Sequence, residues 1–497
     1  MKTSVKIALH LAGLCGVAAT VPETCTGSEC EAAYDEVALL QKVEIRKHDA
    51  SASLYSSAEP VALQVVAAFT QHVGYTGELE TQGTVSVKGL GLLESAEQVL
   101  SWKLSGVDPE CSKSHTAKNA CGIHIHQGKS CYEDAGGHYW NTTLIETDPW
   151  HSITYKAEKH GREYVATAHD VKVVTGLTNF EVLSHTMIIH NSIGGRVACG
   201  IITPRDLGVL AFTPYYTYAG DFKVGGMGVK ITAGGVTESA SQTLMWNVNG
   251  VDPKCREGAS KEFPNSCGIH IHQGMSCGDN ALGHFWNKTT YEMDPWANVG
   301  YLVSSGTQTW DKAREVTTGL EATDVMGHTM IVHNYTGGRI ACGIIATCTE
   351  IVNAFVPYYN YHGDLQVSGF VKVVGAGILS TASQTLSWML SDVDPQCKTP
   401  PANGANANAC GIHIHMGMSC TENADGHFYN PTLVSADPWT AVQYLAVKGK
   451  GGVWSTSGKN AKVITGLNNH DVLGHTMVVH NSLGVRIACG ILNVAEE

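Results

Sequence analysis

Positive charge is in short supply in this 497-residue chain: 32 lysines and arginines stand against 45 aspartates and glutamates, a formal balance of −13. A surface of that sign repels phosphate backbones and anionic headgroups, which excludes nucleic acid and a membrane surface as partners. An anionic substrate would have to be drawn in by local positive groups. Long apolar runs are missing too. Beyond the opening "MKTSVKIALHLAGLCGVAAT" no stretch is apolar for the roughly 20 residues that a membrane helix needs, and the polar ending "ILNVAEE" has no lipid-anchor tail. Helical periodicity is scarce past residue 60, which argues against a bundle.

The opening places Lys2 and Lys6 before an apolar run from Ile7 and small residues at Val17 and Ala19, the order of a secretory signal peptide over residues 1–19. The mature protein is therefore expected to be soluble and secreted. Residues 20–60 form a leader of different character, in which Ser28 and Glu31 make a capping box before a helix-favouring run. Sixteen cysteines suit an oxidising compartment. Twelve recur as sets of four: Cys111, Cys121, Cys131 and Cys199; Cys255, Cys267, Cys277 and Cys342; Cys397, Cys410, Cys420 and Cys489. Four cysteines allow three pairings, so connectivity stays open. Cys25 and Cys30 can close a small loop, leaving Cys348 as a free thiol or an intermolecular bridge.

The recurrence extends well beyond cysteine. "CGIHIHQGKSC" at Cys121 returns as "CGIHIHQGMSC" at Cys267 and "CGIHIHMGMSC" at Cys410, a spacing of one ordinary domain. Three domains follow, over residues 61–204, 207–348 and 351–497, with junctions short enough for the domains to touch. Within each, short runs such as "GTVSVKG", "QTLMWNV", "GIHIH", "TMIIH" and "RVACGII" alternate or are β-branched between Gly, Asn, Asp and Pro. That pattern predicts an all-β sandwich or barrel. The strings "TPYYTYAGDF" and "VPYYNYHGDL" are expected to pack in the core or between domains.

On a strand, His124 and His126 project from the same face, where two imidazoles can grip one ion. The same holds for His270 with His272 and His413 with His415. A third histidine follows fourteen residues after the first, at His138, His284 and His427, and a fourth closes "HTMIIHN" and its sisters at His190, His333 and His480. Four neutral imidazoles suit copper best and zinc next. His185, His328 and His475 lie an odd five positions before the fourth histidine, so a hydrogen-bonding structural role is expected of them. Six positions after it come Arg196, Arg339 and Arg486, whose guanidinium groups can orient a small anion beside the metal.

Through the paired histidines of "GIHIH", the "GHFYNP" of the third repeat, the strand ending at His480 and "RIACGI", the chain resembles the Cu/Zn superoxide dismutase family over most of all three repeats. The resemblance implies an eight-stranded Greek-key barrel or sandwich in each repeat. It also implies one copper per domain, three in all, held by His124, His126, His138 and His190; by His270, His272, His284 and His333; and by His413, His415, His427 and His480. The family's intrasubunit disulfide falls on Cys131–Cys199, Cys277–Cys342 and Cys420–Cys489. Cys111–Cys121, Cys255–Cys267 and Cys397–Cys410 are then left as extra bridges. Arg196, Arg339 and Arg486 match the family's substrate-guiding arginine.

Two departures matter. No histidine lies between His284 and His328, only His470 lies between His427 and His475, and His151, His160 and His169 of the first repeat have no counterparts. Zinc is therefore not expected. The loop between the fourth histidine and the arginine, long and charged in the family, has five residues here. Both losses resemble the secreted copper-only branch and its repeat proteins, which implies three catalytic repeats converting superoxide to oxygen and hydrogen peroxide. The rival reading is an extracellular copper scavenger without turnover. Without zinc, the third histidine needs another acceptor for its outer N–H. Asp148, Asp294 and Asp437, ten residues on, are either that acceptor or turn-forming Asp-Pro residues. Sequons stand at Asn141, Asn287 and Asn334. The sequence sets no oligomeric state.

Overall fold

In the computed structural model, residues 62–401, 406–449 and 451–495 are described. The signal peptide, the leader and the Cys25–Cys30 loop expected from the sequence lie outside them. The first repeat contributes β1 (Ala62–Val66), β2 (Thr70–Gln71), β3 (Gln82–Leu90), β4 (Glu97–Ser105), β5 (Ile123–His126), β6 (Glu158–His160), β7 (Glu163–Val174), β8 (Thr186–His190) and β9 (Arg196–Ile201). They form two antiparallel sheets, in the orders β1-β3-β4-β7-β6 and β2-β9-β8-β5. The second repeat reproduces both orders, and the third reproduces them with one added edge strand, Asn493–Val494. Among the described residues, helix is confined to short turns such as Asn179–Val182.

Alternation explains the layering. Along β3 the buried positions are Val85, Val87 and Gly89, and along β4 Leu100, Trp102 and Leu104 turn inward. Val85, Val87, Leu100, Trp102 and Leu104 meet Ile123, Ile125, Met187, Ile189 and Val197 of the second sheet in one apolar cluster. Each such side chain contributes about 1.5–3 kcal/mol on full burial. Because Ile123 and Ile125 face the core, His124 and His126 must face the other side of β5. That outer face is covered as well: Cys131 and Ala135 pack on Ile188, Cys199 and Ile201.

The expected cysteine pairs are closed in each repeat. Short-range bridges join Cys111 to Cys121, Cys255 to Cys267 and Cys397 to Cys410. Long-range bridges join Cys131 to Cys199, Cys277 to Cys342 and Cys420 to Cys489. These six disulfides among the described residues are the mark of an oxidising environment. Cys348 is disulfide-bonded as well, which corrects the expectation of a free thiol there. No helix among the described residues is long and apolar enough to cross a membrane.

Each repeat closes on its own beginning, through the bridges Val65 to Thr203 and Gly208 to Ala346 and the pair Ile351 to Asn493. The repeats then touch head to tail. Leu92 and Leu93 of the first pack with Tyr358, Cys420 and Ala424 of the third, and a Cβ on Gly474 would strike the Phe180 ring at 2.5 Å. Ile378 and Leu379 of the third pack with Tyr215, Cys277 and Ala281 of the second. The Tyr132 hydroxyl of the first reaches Thr290 Oγ1 of the second at 3.5 Å. Leu183, Met326 and Leu473, which hold the same place in the three repeats, belong to a single apolar cluster.

Candidate metal centre

Four histidines converge in each repeat: His124, His126, His138 and His190; His270, His272, His284 and His333; His413, His415, His427 and His480. In every cluster one ring nitrogen from each residue lies within 4.8 Å of the others. The first two come from β5 or its counterparts Ile269–His272 and Ile412–His415. The fourth closes β8 or its counterparts Thr329–His333 and Thr476–His480, which pair with the first strand. A register shift at the fourth histidine recurs in all three repeats, the kind of bulge that re-aims a side chain. The third histidine comes from the covering loop and is tied to the second by a single bridge, His126 to His138, His272 to His284 or His415 to His427.

The other nitrogen of each ring is engaged with protein. In the first repeat His124 Nε2–H donates to Ile153 O at 3.0 Å, His126 Nδ1–H to Gly136 O at 3.0 Å and His190 Nδ1–H to Gly194 O at 3.1 Å. His138 Nδ1–H donates to Asp148 Oδ2 at 2.7 Å. These bonds place the proton on the outward nitrogen and turn a bare lone pair inward. Accordingly His124 Nδ1 and His138 Nε2 are buried without a partner, as are His270 Nδ1, His272 Nε2, His284 Nε2, His333 Nε2, His413 Nδ1 and His427 Nε2. Elsewhere the inward nitrogens have only each other: His126 Nε2 and His190 Nε2 lie 3.4 Å apart, and His415 Nε2 and His480 Nε2 3.3 Å. Buried nitrogens without partners are costly unless something fills the space between them. A four-nitrogen cage for one metal ion fits the residues present.

Burial keeps the first, second and fourth ring of each cage neutral and ready to ligate. It pushes the His124 imidazole down to about 2, with the other three histidines of its cluster adding repulsion, and it pushes His126 down to about 3 and His190 to about 4. The counterparts follow: His272 at about 2, His415 at about 3, His333 and His480 at about 4, and His270 and His413 far below their ordinary value. Of the four side chains the third is the one nearest solvent; His138 is 8% exposed where His124 is 0%.

Asp148, Asp294 and Asp437 play both roles left open by the sequence. One oxygen accepts from the third histidine, at 2.7, 2.6 and 2.6 Å. The other accepts the backbone N–H of Trp150, Trp296 or Trp439, two residues on, as an Asp-Pro turn requires. The fully buried indoles then donate back to the carbonyls of Tyr139, Phe285 and Phe428, each directly after the third histidine.

Each arginine stands one carbonyl away from the metal cage. Arg196 Nη2 donates to Gly136 O, the same oxygen that receives His126 Nδ1–H. Arg339 shares Leu282 O with His272, and Arg486 shares Asp425 O with His415. His185, His328 and His475 stay outside the cages and stack on Tyr139, Phe285 and Phe428 at 3.9–4.1 Å. His185 Nδ1–H also donates to His126 O.

Sequence reasoning missed two sets of supporting residues. The hydroxyls of Tyr155, Tyr301 and Tyr444 donate to the carbonyls of the fourth histidines at 2.7–2.9 Å. Tyr215 and Tyr358, read as packing residues, also accept from Arg339 and Arg486, at 2.7 Å each. The repeated "PYY" strings carried that second signal. Compared with known proteins, the chain matches no protein-family model and no curated protein.

Proposed function

We propose that the protein is a secreted, copper-dependent superoxide dismutase built from three tandem Greek-key domains, each holding one copper. The observation that carries this reading is the pairing, three times over, of a four-imidazole cage with a guanidinium that shares a carbonyl with the second ligand. A cage that only stored metal would have no use for the arginine.

Copper, when bound, supplies a one-electron couple at a potential reachable by superoxide. The chain's own residues supply the rest. The guanidinium attracts and orients the superoxide anion at the mouth of the cage. One superoxide gives up an electron and leaves as oxygen, and a second takes that electron with two protons and leaves as hydrogen peroxide. His138, His284 and His427, the ligands nearest solvent, hold one proton on Nδ1 against the aspartate. Their Nε2 would hold the metal, and when not doing so it is the atom whose lone pair could take up a second proton and pass it towards the reduced substrate. Because that aspartate occupies Nδ1, the third histidine has no nitrogen left for a neighbouring zinc, which favours a copper-only centre.

The test is to load the mature chain with copper, measure its metals by mass spectrometry and follow superoxide disappearance. About three coppers per chain, negligible zinc and activity abolished by chelation are expected. Copper bound without turnover would leave a copper scavenger instead.

A further inference from the structure

The three arginines do not carry the same local charge. Arg339 Nη1 donates to the Tyr215 hydroxyl and to Asn280 Oδ1, at 2.7 and 3.0 Å, with its guanidinium carbon 5.3 Å from the tyrosine ring centre. Arg486 repeats this with Tyr358 and Asn423, at 2.7 and 2.8 Å, and a ring distance of 5.4 Å. Both sets of partners are uncharged. In the first repeat both are replaced: Asp134 stands where the others have Asn280 and Asn423, and His72 where they have Tyr215 and Tyr358. Arg196 Nη1 bonds directly to the Asp134 carboxylate.

The Gly136 N–H and the Arg196 guanidinium hold the Asp134 carboxyl below its ordinary value, so it is ionised at neutral pH. His72 is buried, and burial and Arg196 together push its imidazole down, so it stays neutral and restores no positive charge. The third repeat has a carboxylate nearby at Asp425, but its backbone oxygen, not its side chain, meets Arg486. The second repeat has Leu282 at that place.

Resting on the dismutase reading above, we propose that Asp134 makes the first centre the weakest of the three at binding small anions, so that anion capture falls mainly to the second and third repeats. An exposed ion pair adds little to stability, but its effect here is on charge. A full negative charge beside the guanidinium cancels the attraction that an incoming anion would feel, while Asn280 and Asn423 leave it in place. One unit charge acting across a wet rim alters affinity by about three- to tenfold, and salt screens that difference.

Two measurements on the full chain test this. In the metal-free protein, phenylglyoxal labelling of arginine is followed residue by residue by mass spectrometry. Arg196 is expected to react more slowly than Arg339 and Arg486, and Asp134→Asn to bring it into line with them. Equal rates in the unaltered protein would overturn the pairing whether or not copper binds. In the copper-loaded protein, azide is titrated against the copper electron paramagnetic resonance signal at low salt. One weak and two tighter sites are expected, merging to three tight sites in Asp134→Asn and becoming two weak and one tight in Asn280→Asp. A single affinity class in the unaltered chain would overturn the proposal while leaving the dismutase reading intact. Failure of copper to bind at all would instead remove the dismutase reading, with the labelling result standing by itself.

Discussion

Asp437 shows how one side chain can serve a metal site without touching the metal. Its two oxygens hold His427 Nδ1–H and the Trp439 N–H at 2.6 and 3.0 Å, so the third ligand and the turn that carries it are locked together. An asparagine would retain one acceptor and place an amide N–H where the other stood, facing the histidine's own N–H or forcing the ring to turn. Outer partners of metal-bound histidines are worth about ten- to a hundredfold in metal affinity. Asp437→Asn is therefore expected to weaken copper binding in the third repeat by that factor, with the first two repeats unaffected. Competition with a chelator of known affinity measures it, and three equivalent tight sites in the variant would dismiss the role given to the aspartate.

At the level of the strand, the sequence Cys-Gly-Ile-His-Ile-His is constrained at nearly every position. The isoleucines enter the core, the histidines point away from it, the cysteine is bridged, and the glycine lies under a ligand ring. A Cβ on Gly411 would sit 2.2 Å from His413 Cε1, which no side chain tolerates without moving the imidazole. Gly411→Ala is expected to lower the bound copper from about three to about two per chain, read by elemental analysis, with the fold retained by circular dichroism. Full occupancy in the variant would show that the ring has room to move. This strand was legible in the sequence because all its constraints are local and stated three times. So were the strand ending at the fourth histidine, though not its bulge, and the all-β character of the short β-branched runs. The partners of the arginines were not. Tyr358 lies 128 residues from Arg486 and Asn423 lies 63, and only the folding of β2-type edge segments beside the covering loop brings them together. The tyrosines that hold the fourth histidine's carbonyl were hidden for the same reason, since Tyr444 and His480 are 36 residues apart.

Across the whole molecule, repetition carries over into how the repeats meet. Phe180 of the first repeat lies against Gly474 of the third, and the residue in its place, His470, lies against Gly327 of the second. The contact is head to tail, and such contacts either close into a ring or propagate without end. Here the Tyr132–Thr290 contact and the shared cluster of Leu183, Met326 and Leu473 join the remaining pair of repeats, so the chain satisfies the contact internally. Each metal cage, by contrast, draws all four ligands from a single repeat. Docking and metal binding should therefore be separable. Leu473 is 5% exposed, and an unpaired carboxylate at that position costs roughly 3–5 kcal/mol. Leu473→Asp is expected to loosen the third repeat from the others, raising the radius of gyration in small-angle X-ray scattering while about three coppers stay bound. An unchanged radius would mean that the apolar cluster does not govern docking. Expansion accompanied by loss of all the metal would mean that no repeat holds its fold, or its cage, without its neighbours.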